Sequence, residues 1–99
     1  MLMEPHHFEP QSPSRRWPSY RPLVFRVKGG RRRHESIVTE RSLHEMVLRV
    51  PRGEHLPVGT CLRPINREMA QRHGFRRAVV RRIEQATGQS RLVLIEILS

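Results

Sequence analysis

The feature that most constrains this fold is a series of short stretches in which apolar and polar residues alternate between turn-forming residues. In residues 22–28, Leu23, Phe25 and Val27 fall on one face of an extended chain, and a Gly-Gly pair follows at 29–30. This period of two is typical of β-strands with one buried face. We therefore predict a mainly β, antiparallel fold. Apolar runs between turn signals predict four further strands, at residues 31–39, 44–50, 58–63 and 91–98.

A short helix is predicted near residues 66–73. Asn66 is suited to the N-cap position, Glu68 suits the first turn, and Gly74 can end the helix. These three signals fall within one or two helical turns, so they predict only a brief helical segment.

The stretch at residues 75–87 is ambiguous between helix and strand. Its apolar residues recur at helical spacing, but residues 78–83, Ala-Val-Val-Arg-Arg-Ile, also form a compact apolar run. Periodicity does not separate the two structures over so few residues. The β-branched side chains favour a strand by propensity, and both alternatives stay open at this point.

The length of the chain, 99 residues with 36% hydrophobic residues, predicts a single domain with one small core. Five of the eight prolines lie in residues 1–22, where they disfavour helix. We predict a flexible tail at 1–14, followed by one domain at 15–99 that includes a basic, extended arm at 15–21.

Targeting and redox features predict a soluble, cytoplasmic protein that does not bind membranes. No run approaches the roughly 20 apolar residues that span a bilayer. The N-terminus carries Glu4 and Glu9 where a signal peptide has basic residues. Cys61 is the only cysteine, so an internal disulfide is excluded and a reduced thiol is expected.

The formal net charge of +10 predicts an anionic partner, either a protein surface, a small ligand or a nucleic acid. The positive charge is concentrated in residues 15–33, which carry seven Arg and Lys28 and no acidic residue. Eighteen of the nineteen cationic residues are Arg, whose planar guanidinium binds phosphate and guanine edges in bidentate fashion. A GC-rich genome would also raise the arginine content, and this explanation has equal weight.

Two local signals lie about twenty residues apart in the chain. The first is the arginine cluster at 15–21, Arg-Arg-Trp-Pro-Ser-Tyr-Arg, which leads into the strand at 22–28. The second is Glu40-x-Ser42-x-x-Glu45, which leads into the strand at 44–50. In order and position they resemble the RxxxR and D/NxSxxG elements of PilZ domains.

The resemblance to PilZ domains covers roughly residues 15–98 and implies a fold and a ligand. The fold would be a small six-stranded antiparallel β-barrel, and the ligand would be the cyclic dinucleotide cyclic di-GMP. Arginines of such a site clamp phosphates and guanine edges, while a carboxyl or amide group and a hydroxyl contact the base. The residues that match these roles in this sequence are Arg15, Arg16, Arg21, Glu40 and Ser42.

This chain departs from the PilZ signature in ways that weaken the expected ligand site. Arg16 and Arg21 are separated by four residues rather than three, and Glu40 replaces Asp or Asn. Glu45 stands where the signature has glycine. A carboxylate about 5 Å from a phosphate costs roughly 3 kcal/mol at an effective dielectric near 20. We therefore expect weak or absent cyclic di-GMP binding and a signalling or adaptor role.

The second hypothesis is a DNA-binding helix-turn-helix at residues 66–83. Gly74 would make the turn between its helices, and residues 91–98 could add a β-wing. The preceding chain, however, offers no clear third helix for the motif to pack against. Four arginines of this segment would contact phosphates or base edges: Arg76, Arg77, Arg81 and Arg82.

Sequence patterns give little support for an enzyme, so we expect a non-enzymatic protein without a cofactor or metal. The six histidines are scattered and form no HExxH motif, and a single cysteine excludes a CxxC motif. No Asp is present to orient a histidine next to Cys61, although Asn or Glu can take that role. A small buried thiol is the simpler interpretation of Cys61.

Overall fold

The computed structural model describes residues 15–86 and 88–99, and the predicted tail at 1–14 lies outside them. Neighbouring strands pair antiparallel, and the sheet closes into a ring in the order β1-β2-β3-β6-β5-β4. The predicted mainly β architecture of six antiparallel strands with a short helix is confirmed. The elements of the described chain are β1 Trp17–Val27, β2 His34–Arg41, β3 Glu45–Pro51, β4 Cys61–Pro64, α1 Arg67–His73, β5 Ala78–Ala86 and β6 Ser90–Ile97.

Apolar side chains fill the inside of this barrel. Alternate residues of the strands point inward, as the period-two pattern predicts, and Leu23 and Phe25 are fully buried. Each such side chain contributes about 1.5–3 kcal/mol by leaving water. The buried core consists of Leu23, Phe25, Val38, Met46, Leu48, Val50, Leu56, Leu62, Phe75, Ala78, Val80, Val93 and Ile95.

Strand β1 begins at Trp17, five residues before the predicted strand at 22–28, so most of the predicted arm belongs to the sheet. Trp17 and Pro18 pair with residues of β2, and β4 pairs only with residues 25–27 of β1. Among the described residues, the opposite edge of the N-terminal half of β1 therefore has no strand partner. Prolines are tolerated there because they lack an N–H to donate. The register shifts between Pro18 and Arg21, where Tyr20 adopts a left-handed backbone with φ of 57°.

The helix α1 confirms the prediction near 66–73. The side chain of Asn66 accepts a hydrogen bond from the backbone N–H of Met69 at 2.8 Å, which satisfies a free donor of the first turn. Gly74 adopts a left-handed φ of 73°, and its N–H donates to the carbonyl of Ala70. The helix packs against β1 and β4.

The ambiguous segment after Gly74 is a strand, so the helix-turn-helix arrangement at 66–83 is wrong. Strand β5 pairs with β4 on one side and with β6 on the other, and Val80 points into the core. Two register shifts in its pairing with β6 displace the period-two pattern, which explains why the apolar spacing also suggested a helix. No helix in the described part of the chain is long and apolar enough to cross a membrane.

Candidate ligand-binding surface

The two sequence signals meet on the outer face of the barrel. Pro18 of β1 pairs with Glu40 of β2, which brings the start of β1 next to the turn that joins β2 to β3. Arg16 lies immediately before β1, and its Nη1 is 3.6 Å from Glu40 Oε1. Strand pairing therefore joins residues that the sequence separates by more than twenty positions.

Arg16 is surrounded by three carboxylates, and we call this group with Arg16 the Arg16 cluster. Its Nη1 donates to Glu84 Oε1 at 2.9 Å, and its Nη2 is 4.0 Å from Glu45 Oε1. Glu40 completes the group. The hydrogen bond to Glu84 is the main reason that the pKa of Arg16 is raised, and partial burial opposes that change. The guanidinium is therefore already occupied by acidic side chains of the protein itself.

Glu84 is the member of the cluster that the sequence did not point to. It lies on β5 and accepts hydrogen bonds from Arg16 at 2.9 Å and from Arg82 Nε at 2.7 Å. The first of these bonds, then the second, lower the pKa of the Glu84 carboxyl, although burial opposes them. The only available signal was a single acidic residue in the arginine-rich sequence of β5. This signal did not indicate that the partner of Glu84 is Arg16, near the other end of the sequence.

A row of cross-strand partners runs over this outer face between Arg16 and Glu84. The residues toward the two ends of the row, Pro18, Glu40 and Arg82, are exposed. Val47 and Leu94 in its middle are only 2% and 4% exposed. Arg16 thus reaches from the β1 side of the row to the β5 side. The row consists of Pro18, Glu40, Val47, Leu94 and Arg82.

Ser42 is fully buried and stabilises the turn between β2 and β3. Its hydroxyl oxygen accepts the backbone N–H groups of Glu45 at 3.1 Å and His44 at 3.3 Å. Its own backbone N–H donates to the carbonyl of Glu45 at 2.8 Å. The side chain has a clear structural task, and a contact between Ser42 and a ligand stays a prediction.

The remaining two candidate arginines, Arg15 and Arg21, form no ion pair with the carboxylates of the Arg16 cluster. Arg15 is exposed and makes no hydrogen bond or ion pair with the rest of the described chain. Arg21 pairs in register with the buried Val38, so it projects from the inner face at the end of the barrel where β1 begins. Three of the five candidate residues, Arg16, Glu40 and Ser42, therefore gather at the start of β1 and the adjacent turn.

A second polar site, which we call the barrel-mouth pocket, lies at this end of the barrel. Its volume is about 450 Å³. Arg41 Nη1 donates to the carbonyl of His73 at 2.9 Å, and His73 Nε2 donates to the carbonyl of Pro22 at 2.7 Å. No local sequence pattern indicates Arg41, Arg72 or His73 as site residues, because β2 and α1 meet only in the fold. The lining consists of Trp17, Pro18, Ser19, Arg21, Arg41, Arg72 and His73.

Positive charge accumulates in the barrel-mouth pocket. Burial, and then the neighbouring charge of Arg21, lower the pKa of Arg41. Burial also lowers the pKa of His73; its hydrogen bond to Pro22 opposes this, and the charges of Arg41, Arg21 and Arg72 add to it. His73 is therefore held in its neutral form by both its burial and its arginine neighbours.

The arginines of the second hypothesis lie on or just before β5 rather than on a recognition helix. All four are exposed, and two are paired with glutamates on the barrel surface. Arg82 binds Glu84 at 2.7 Å, and Arg81 Nε donates to Glu96. Contacts between nucleic acid and these four arginines stay a prediction.

A buried polar network occupies the opposite end of the barrel. His34 and Glu54 are 7% and 8% exposed, and His34 Nδ1 lies 2.6 Å from Glu54 Oε2. Arg32 Nη2 donates to Glu54 Oε1 at 2.9 Å, and Phe25 stacks on the His34 ring with centroids 5.2 Å apart. The network attaches the loop after β3 to the barrel.

The side chains of residues 15–86 and 88–99 form no group of three or more His, Cys, Asp or Glu that could hold a metal ion. Cys61 is half-buried and unpaired, as its being the sole cysteine requires. Comparisons with protein-family models, with curated proteins and with solved structures gave no match for this chain.

Proposed function

We propose that this chain is a non-enzymatic, cytoplasmic signalling or adaptor module that resembles PilZ-type receptors and binds cyclic di-GMP weakly or not at all. The closed barrel of six antiparallel strands agrees with the fold that this resemblance implies. The meeting of Arg16 with Glu40 at the start of β1 agrees with its two-part ligand site.

The observation that carries the proposal is the neutralisation of Arg16. Three carboxylates surround one guanidinium, and Arg82 adds one further positive charge through Glu84, so these five side chains sum to −1. A ligand with two phosphates would have to displace the ion pairs of Arg16 and approach the carboxylates. Each uncompensated carboxylate within about 5 Å of a phosphate costs roughly 3 kcal/mol at an effective dielectric near 20.

The partner that fits the remaining surface is a protein, or an anionic ligand other than cyclic di-GMP. Arg15 is exposed near the start of β1, and Leu43 at the tip of the β2–β3 turn is 64% exposed. Tyr20 is 68% exposed on the bulge of β1. Arginine and tyrosine are enriched in protein interfaces, because they combine large contact areas with directed hydrogen bonds.

Isothermal titration of the full chain with cyclic di-GMP tests this proposal. We expect no saturable heat below about 100 µM ligand, which corresponds to a binding free energy weaker than about −5.5 kcal/mol. Binding in the low micromolar range would overturn the claim that the site is closed by its own carboxylates.

A further inference from the structure

The barrel-mouth pocket is built from the inner faces of two strands and the last turn of the helix. Arg41 pairs with the buried Met46 and Arg21 with the buried Val38, so both arginines continue the inward-facing rows of the core. Arg72 reaches the pocket from α1. Three guanidinium groups thus converge where the apolar core ends.

No carboxylate lines this pocket in the described chain. Arg72 pairs with Glu68 on the exposed side of α1 at 3.2 Å, a contact that water screens. The Arg21 side chain makes no hydrogen bond or ion pair with any residue that the structure describes. The charge of the pocket is therefore largely uncompensated, unlike that of Arg16, which is balanced by acids.

Arg41 has unused hydrogen-bonding capacity at this site. One of its Nη groups donates to the carbonyl of His73, but its Nε is buried and has no partner within the described structure. A buried donor without a partner costs about 1–3 kcal/mol, and more when it is charged. An anion within reach of this guanidinium would remove part of that cost.

The chemistry of the lining matches a phosphate group. Guanidinium forks bind phosphate oxygens in bidentate fashion, and such charge-assisted hydrogen bonds are the strong ones in proteins. The volume of about 450 Å³ lies within the range of small-molecule sites. Trp17, which is 45% exposed, offers a flat apolar wall beside the charges.

We propose that the barrel-mouth pocket binds the phosphate group of a small phosphorylated molecule, held by Arg21, Arg41 and Arg72. Inorganic phosphate and a nucleotide share this chemistry, and Trp17 would stack on the base of a nucleotide. The pocket shares Arg21 with the residues expected to contact cyclic di-GMP, but it contains no member of the Arg16 cluster, and it does not rest on the proposed signalling function.

The full chain carries its own reporter, because Trp17 is its only tryptophan. Inorganic phosphate and adenosine 5′-monophosphate are titrated separately, by tryptophan fluorescence and by calorimetry at low salt. Saturable binding with a change in fluorescence is expected. Tighter binding of the nucleotide than of phosphate would identify nucleotides as the ligand. Equal binding of the two probes would show that the pocket recognises only the phosphate group. Absence of saturation by either probe up to about 50 mM would overturn the proposal.

Two matched variants separate a specific site from general attraction to a basic protein. Arg21→Gln removes one exposed charge from the pocket, and Arg31→Gln removes one from the loop at the other end of the barrel. We expect Arg21→Gln to weaken binding about tenfold to a hundredfold, as for the loss of one charge-assisted bond, and Arg31→Gln to weaken it less than twofold. Thermal unfolding confirms that both variants are folded. Equal losses in the two variants would overturn the proposal, because net charge alone would then explain the binding.

Discussion

Arg16 and Glu84 lie 68 residues apart in the chain, yet their side chains form an ion pair with a hydrogen bond of 2.9 Å. The pair links the segment before β1 to the outer face of β5. Both side chains are mostly shielded from water, with exposed fractions of 25% and 19%. Such a pair is screened less than a surface salt bridge, and it engages the arginine that a phosphate ligand would need.

Substitution Glu84→Gln should lower the free energy of unfolding by about 1 kcal/mol at neutral pH. The pKa of Glu84 is lowered in the folded protein, so its ion pairs stabilise the fold above the ordinary carboxyl pKa. That contribution is lost as the pH falls through the lowered pKa of Glu84 in the folded state. Urea unfolding at pH 7 and at about pH 3 measures the effect. Glu35→Gln, which removes the charge of a side chain that is 71% exposed, is the control and should change little. A Glu84→Gln effect that persists unchanged in acid would contradict this assignment.

Protonation of His73 should destabilise the fold. Burial and three neighbouring arginines lower its pKa, so the unfolded chain binds this proton more readily than the folded one. Stability is therefore complete above the ordinary histidine pKa and decreases as the pH falls below it toward the folded-state value. His73→Gln keeps a donor for the carbonyl of Pro22 and should remove this part of the pH dependence between about pH 7.5 and 5.5. If wild type and variant show the same dependence of unfolding free energy on pH over that range, in urea unfolding, protonation of His73 does not destabilise the fold.

Glu54→Gln should destabilise the protein by about 1–3 kcal/mol. The carboxylate is buried, and one of its oxygens binds His34 while the other binds Arg32. Glutamine has one carbonyl oxygen and one NH₂ group in their place, so only one of the two positions can still accept a hydrogen bond. Chemical unfolding at neutral pH measures the loss. The exposed Glu35→Gln again serves as the reference, and an equally small change in both variants would show that the buried network contributes nothing to stability.

Gly74→Ala should cost about 1 kcal/mol, since a Cβ is unfavourable at the left-handed φ of 73° that ends α1. Beyond the adjoining chain, no atom lies within 4 Å of the position a Cβ would take, so the cost comes from the backbone conformation and not from a clash. Gly53→Ala also meets open space, but φ there is not positive. That variant should stay within about 0.5 kcal/mol of wild type in thermal unfolding. Equal effects of the two substitutions would contradict the role given to Gly74.

Local signals predicted the elements whose structure is determined locally. Asn66 and Gly74 identified both ends of α1 because capping depends on neighbouring residues. Alternating residues identified β3 almost to its bounds. The position of β5 remained open, because its register shifts blur the period of two and its pairing partners are distant in sequence.

The site was predictable only in part for the same reason. Arg16 and Glu40 were both expected, since each belongs to a local signal. Glu84, Arg41 and Arg72 were not, because closure of the barrel and docking of α1 bring them into place. Burial of Ser42 follows from the conformation of its turn, which the spacing of the motif does not specify.

Paired calorimetric titrations with cyclic di-GMP test the central claim, that the carboxylates around Arg16 close the ligand site. Wild type is compared with the double variant Glu45→Gly/Glu84→Gln, and Glu35→Lys at an exposed position is a control with the same change in net charge. We predict that only the variant freed of Glu45 and Glu84 gains affinity, by at least about tenfold, because two acids leave Arg16. Micromolar binding by wild type, or equal gains in the double variant and in Glu35→Lys, would contradict the account.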